Sequence, residues 1–150
     1  MDWPHWPGPA GSYVAPWQFP PALGVTGTPG EHIEDTLSQH VVDFIHQNKS
    51  HPFFASYWQF SVHAPYDAKD ELVAKYRKLA HPKNPQRNPV YAAMVESFDD
   101  GVGRVMNKLE RDGLLDKTII VFFSDNGGVS WGGVDSDSEG AHTEHKSARF

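Results

Sequence analysis

Apolar positions in this chain recur in two different rhythms. Between residues 33 and 45 they fall at Ile33, Leu37, Val41, Phe44 and Ile45, the three- and four-residue steps of an amphipathic helix. Asp35 and Thr36 are its capping candidates, and Lys49 stands near its end. A longer stripe runs through Tyr91, Met94, Val95, Phe98, Val102, Val105, Met106 and Leu109. Asn88 as N-cap, Pro89 in the first turn and Gly113 as stop delimit that second helix. A shorter charged helix is predicted from about Lys69 to Leu79, closed by a loop holding Pro82 and Pro85.

The other rhythm is continuous. Phe53-Phe54-Ala55-Ser56-Tyr57-Trp58-Gln59-Phe60 and Thr118-Ile119-Ile120-Val121-Phe122-Phe123 are runs of strand length rich in aromatic and β-branched residues. Unbroken apolarity predicts burial on both faces, as in the central strands of a helix-covered sheet. The order helix, strand, helix, helix, strand predicts an α/β fold. Two strands alone make a marginal sheet, so the sheet is expected to be incomplete in this chain.

Residues 1–31 are crowded with Pro and Gly, which forbids a helix and predicts an irregular segment. Its aromatics, Trp3, Trp6, Tyr13, Trp17 and Phe19, are expected to serve as packing surface. Residues 32–126 form the α/β core, and 127–150, rich in Gly, Ser, Asp and His, read as a loop-rich tail.

Composition removes several functions. The 150 residues carry 39% hydrophobic and 21% charged positions, and no apolar run approaches the roughly 20 residues of a membrane span. The net charge of −6 is dispersed, and no Lys/Arg cluster offers a footprint for nucleic acid. Cysteine is absent, which excludes disulfides and thiolate metal sites. The first residues lack the basic and apolar regions of a secretory signal, so the compartment stays undetermined.

Chemistry is expected where the two strand-like runs end, because ligands of open α/β sheets sit beyond the carboxyl ends of strands. The first run leads to His63-Ala64-Pro65 and the second to Ser124-Asp125-Asn126-Gly127-Gly128. Asp125 and Asn126 offer a carboxylate and an amide carbonyl, hard oxygen ligands of the type Ca²⁺ and Mg²⁺ take. The same four residues, Asp-Asn-Gly-Gly, also make a good turn.

Several ordered blocks together resemble the middle of the sulfatase family, within the alkaline-phosphatase-like superfamily. They are Pro52-Phe53-Phe54, His63-Ala64-Pro65, the stretch from Tyr91 to Arg104, Gly113-Leu114-Leu115-Asp116-Lys117-Thr118, and Ser124 to Gly128. The resemblance implies part of a helix-flanked mixed or parallel sheet and a sulfuric ester hydrolase of the arylsulfatase type. It implies Asp125 and Asn126 as ligands of Ca²⁺ (or Mg²⁺) and His63 facing a sulfate ester, either a small molecule or a sulfated sugar. Lys146 stands at a suitable distance for the family's active-site lysine. Its surroundings, Thr143-Glu144-His145-Lys146-Ser147-Ala148-Arg149-Phe150, depart from the glycine-flanked family pattern. His142 and His145 lie near one another without a ligand pattern.

The family attacks sulfur with a formylglycine made within Cys/Ser-x-Pro-x-Arg, and these residues contain no such stretch. The chain alone is therefore expected to turn over no sulfate ester. A metal-dependent phosphoester hydrolase of the same superfamily and a non-catalytic remnant are the alternatives.

Overall fold

The computed structural model describes residues 13–17, 19–63, 66–81, 83, 87–125 and 127. Three helices dominate them: α1, Ile33–Asn48; α2, Asp70–Leu79; and α3, Pro89–Arg111. Short 3-10 turns occupy Pro21–Leu23 and Leu115–Lys117.

The boundaries of α3 follow its sequence signals. The Asn88 carboxamide oxygen accepts from the N–H groups of Val90 and Tyr91, at 2.9 and 3.1 Å, satisfying donors that the first turn leaves open. Gly113 ends the element at φ 65°, the left-handed conformation in which a Cβ is costly. For α1 the cap is not Asp35 or Thr36 but His32, whose Nδ1 accepts from Glu34 N–H at 3.3 Å. Asp35 and Thr36 lie inside the first turn instead, and Thr36 Oγ1 donates to Glu31 at 2.5 Å.

Helices α1 and α3 run side by side and parallel. Gly101 faces Glu34 and Ser38, Arg104 reaches Asp35 and Ser38, Lys108 meets His46, and Lys49 pairs with Asp112. Early positions on one helix thus meet early positions of the facing stretch, and late meets late. Where α3 faces α1 it presents the buried Gly101, against Glu34 and Ser38, rather than a large residue of its apolar stripe. Val95, from that stripe, is 43% exposed. Small side chains let the two backbones approach.

The core gathers where α2 and the early turns of α1 and α3 meet. Tyr13, Ala15, Trp17, Ile33, Ala68, Ala93 and Met94 form it, with Phe60, Val62, Tyr66, Leu72, Val73 and Tyr76 packed around them. Tyr13 and Trp17 lie in this core, and the Trp17 indole N–H donates to Tyr13 O. An isolated antiparallel bridge joins Val14 to His32.

The two predicted strands do not appear as strands among the described residues. Both runs lack regular secondary structure, and among the described residues no strand ladder forms. Nor are they buried on both faces: Phe54, Trp58, Ile119 and Phe123 are 87%, 82%, 92% and 85% exposed. Each run meets the helices through aromatic rings. Phe53 meets Phe44 of α1 at a ring separation of 5.7 Å, Tyr57 inserts between α1 and α3, and Phe122 meets Phe98 of α3 at 5.9 Å. A strand needs a partner to satisfy its main chain, and the described residues bring none alongside.

Tyr57 sets the tightest contact of this arrangement. A Cβ placed on Gly101 would lie 2.7 Å from the Tyr57 hydroxyl oxygen and 3.5 Å from Ser38 Cβ. Gly101→Ala is expected to destabilise the chain by about 1–3 kcal/mol through overpacking. Adding Tyr57→Phe, which removes the clashing oxygen, is expected to recover most of that loss in chemical denaturation. Equal losses in the single and double variants would refute this account of the contact.

Candidate functional site

The directions of the two extended runs decide whether their ends can share a site. The first starts beside Phe44, late in α1, passes Gly101 at Tyr57, and reaches Glu34, early in α1, at Phe60 and Ser61. The second leaves the C-terminal end of α3, where Thr118 Oγ1 donates to Leu114 O and Leu114 N to Leu109 O, and runs back to Phe98. Each run is therefore antiparallel to the helix before it. Since α1 and α3 are parallel, so are the two runs, and their contacts at Phe98 and Gly101 lie three residues apart on one helix face. Both leave the helices near the first turn of α1 and the middle of α3.

His63 stands at the exit of the first run and Asp125 at the exit of the second, and both are exposed. Asn126 and Lys146 lie outside the described residues, as do His142, His145 and the Ala64-Pro65 loop. The Ca²⁺ or Mg²⁺ that the resemblance implies finds suitable donor chemistry in Asp125, a hard carboxylate oxygen. Among the described residues, however, no group of three or more His, Cys, Asp or Glu side chains is placed to hold a metal. The described donors fit only part of a six- to eight-oxygen shell.

The exit at His63 is firmly built. Glu34 Oε1 accepts from the N–H groups of Phe60 and Ser61, at 2.9 and 2.8 Å. The Tyr13 hydroxyl donates to His63 O at 3.0 Å, with Phe60 O at 3.4 Å, and His63 N–H donates to Phe60 O at 2.9 Å. The peptide between Ser61 and Val62 is cis. Glu34 is fully buried. Burial pushes its carboxyl above the ordinary glutamate value, against the opposing pull of the Ser61 and Phe60 donors. Burial, with the Glu34 charge second, also raises the Tyr13 and Tyr57 hydroxyls above the usual tyrosine range. Sequence reading missed Glu34 and Tyr13. A charged residue between apolar helix positions was the only available signal for the former.

Asp35, the next residue, faces the other way. Its carboxylate pairs with Lys69 at 2.5 Å and with Arg104 at 2.6 Å, tying α1 to the start of α2 and the middle of α3. Burial pushes its pKa up, but the hydrogen bonds and charges of Lys69 and Arg104 outweigh that and hold the carboxyl below the usual aspartate value.

Comparisons with known proteins agree with the site's sequence blocks. The family profile described as Sulfatase matches residues 3–148. A protein named Sulfatase from Formosa agariphila is 39% identical over 114 residues, covering 68% of this chain and 20% of that protein. Human Arylsulfatase H is 28% identical over 100 residues, covering 65% of this chain and 16% of its own. The crystal structure of Ps i-CgsB in complex with k-i-k-neocarrahexaose is 33% identical, with a TM-score of 0.50, over 60% of this chain and 19% of that one. The chain belongs to the sulfatase family, and it spans about a fifth or less of the length of these relatives. Its fold is accordingly of the alkaline-phosphatase-like type at the level of the family, although the described residues are mostly helical.

The Asp35 pairs give a pH dependence of known sign. Because the folded carboxyl lies below its unfolded value of about 3.9, its stabilisation is complete above that pH and is lost as pH falls through the folded value. Asp35→Asn is expected to cost about 1–2 kcal/mol at pH 7 and progressively less below about pH 4. Urea denaturation of both proteins across that range checks it, and a difference independent of pH would contradict it.

Proposed function

We propose that this chain forms the part of a sulfuric ester hydrolase that supplies the metal ligands Asp125 and Asn126 and a substrate-facing imidazole, His63. The observation that carries the proposal is the family match over residues 3–148, joined to the common exit of the two extended runs. Two exposed polar groups at one end of parallel segments meet the requirement for ligands beyond the carboxyl ends of an α/β sheet. The exposed apolar sides of Phe54, Trp58, Ile119, Val121 and Phe123 support the finer fold proposal, a sheet of the alkaline-phosphatase-like type completed by further segments of such a domain.

In this reading a divalent cation, Ca²⁺ or Mg²⁺, would supply Lewis-acid polarisation of the sulfate oxygens where Asp125 and Asn126 hold it. A formylglycine in a longer polypeptide would supply the nucleophile. The residues of this chain bind and orient. The His63 imidazole, exposed at its exit, hydrogen-bonds a sulfate oxygen or gives a proton to the departing alcohol oxygen. Lys146, if it takes the family lysine's place, pairs its ammonium with the sulfate.

The substrate class is a sulfate ester, of an aryl alcohol or of a sugar. The name Arylsulfatase H supports the former, and the oligosaccharide bound to Ps i-CgsB supports a sugar alcohol. A phosphoester hydrolase finds no support among these relatives.

Two measurements test the proposal. Titrating the labelled 150-residue chain with CaCl₂ is expected to shift the NMR signals of Asp125, Asn126 and Gly127 selectively in the millimolar range, since two ligands leave most of the shell to water. Asp125→Ala is expected to abolish those shifts. A longer polypeptide that contains this chain and a Cys/Ser-x-Pro-x-Arg stretch is expected to hydrolyse p-nitrophenyl sulfate in preference to p-nitrophenyl phosphate. Preference for the phosphate, or full activity with His63→Ala, would overturn it.

A further inference from the structure

The hydrogen bonds around residues 60–63 form a clamp with an unusual division of labour. From one side a buried carboxylate takes two consecutive main-chain donors, Phe60 N–H and Ser61 N–H. From another side a buried phenol gives its proton to the carbonyl of His63. The two clamping side chains come from separate places, Glu34 from the second position of α1 and Tyr13 from the segment before it. Both are fully buried, while the imidazole they flank is exposed.

Burying a carboxylate is costly unless it is well bonded. Glu34 bears that cost with one oxygen in two charge-assisted bonds, while Oε2 is buried without a hydrogen-bond partner. A carboxylate kept only for stability gains more from a cation, as its neighbour Asp35 does with Lys69 and Arg104. Glu34 takes its two main-chain donors from Phe60 and Ser61 and has no cation beside it among the described residues, and that main chain leads directly to His63. The residue also stands in the first turn of α1, where the helix dipole favours negative charge.

We propose that Glu34 and Tyr13 are positioning residues for His63: they fix the main chain on either side of it so that the imidazole leaves the fold in a single direction. The assignment rests on the reading that His63 serves the ester. What it adds is the origin of that orientation, in two groups that touch neither substrate nor metal. Glu34 fixes where the extended run stops, two and three residues ahead of the histidine. Tyr13 fixes the carbonyl of the histidine itself.

The test uses the full 150-residue chain, isotopically labelled, with amide hydrogen exchange and the His63 Cε1–H signal as readouts. That signal is assigned by its loss in His63→Asn. In the unsubstituted chain the Phe60 and Ser61 amides are expected to exchange slowly. Glu34→Ala is expected to speed both by about tenfold or more while the α3 amides of Met94 and Leu109 keep their protection, and to shift or broaden the His63 signal. Glu34→Gln, which keeps an acceptor oxygen, is expected to restore part of the protection and part of the signal; a role in bulk stability would not produce that graded rescue at residues 60–63 alone. Tyr13→Phe retains the ring and loses only the hydroxyl, so it keeps the proposal open to refutation if Glu34→Ala does not fold. It is expected to move the His63 signal with α3 unchanged.

Unprotected Phe60 and Ser61 amides in the starting chain would overturn the proposal, as would a His63 signal unmoved in Tyr13→Phe. The underlying role of His63 is tested separately, by adding inorganic sulfate and following the same signal. Failure of that response with the clamp intact would remove the ester-facing role and leave the geometric assignment standing.

Discussion

Two adjacent carboxylates at the start of α1 point in opposite directions, and the arrangement of the described residues follows from their division. Glu34 turns inward to the main chain of residues 60 and 61; Asp35 turns toward Lys69 and Arg104. One residue thereby anchors the first extended run, and the next joins the beginnings of α1 and α2 to α3. The cations that satisfy Asp35 come from two elements, so losing it would loosen both at once. Buried groups of this kind contribute little net energy when satisfied and cost several kcal/mol when orphaned, which makes them devices of register more than of stability.

The parallel seam of α1 and α3 is the second layer of that order. Gly101 leaves room for Tyr57 to reach between the helices, and this brings the first run to the same face of α3 that the second meets at Phe98. A common direction for the two runs is thus a packing result. Their shared exit, with His63 and Asp125 exposed there, follows without any contact between the histidine and the aspartate being required.

How much of this was legible in the residues depends on the range of the interaction involved. The extent of α3, its Asn88 cap and its Gly113 stop are local, and the sequence alone predicts them correctly. The cap of α1 was misplaced because Asp35 and Thr36 are better intrinsic caps than His32, while in the fold Asp35 pairs with the distant Lys69 and Arg104 and Thr36 with the nearby Glu31 from inside the first turn. The seam was hidden since large residues dominate a periodicity count and a glycine does not. The apolar runs at 53–60 and 118–123 announced a doubly buried strand environment, but among the described residues the first is covered on one side and the second touches the helices only through rings such as Phe122, with residues 119–123 exposed. Composition of that kind records the surroundings of a longer family protein, of which the matched residues cover 20%. Of the proposed site, His63 and the Asp125-Asn126 pair rest on motif blocks, whereas the Glu34 and Tyr13 bonds join residues 26 to 50 positions apart and leave no local trace.

The open side of the Thr118–Phe123 run carries a colloidal consequence. Six consecutive residues of high β-propensity carry neither proline nor charge, and the last five, 119–123, present exposed side chains outside any strand ladder of the described residues. Such a hexad is a template for cross-β stacking between copies, and only Asp116 and Lys117 before it and Asp125 just beyond it act as charged gatekeepers. Covering those side chains with further segments of a sulfatase domain would therefore remove an association surface as well as complete a sheet.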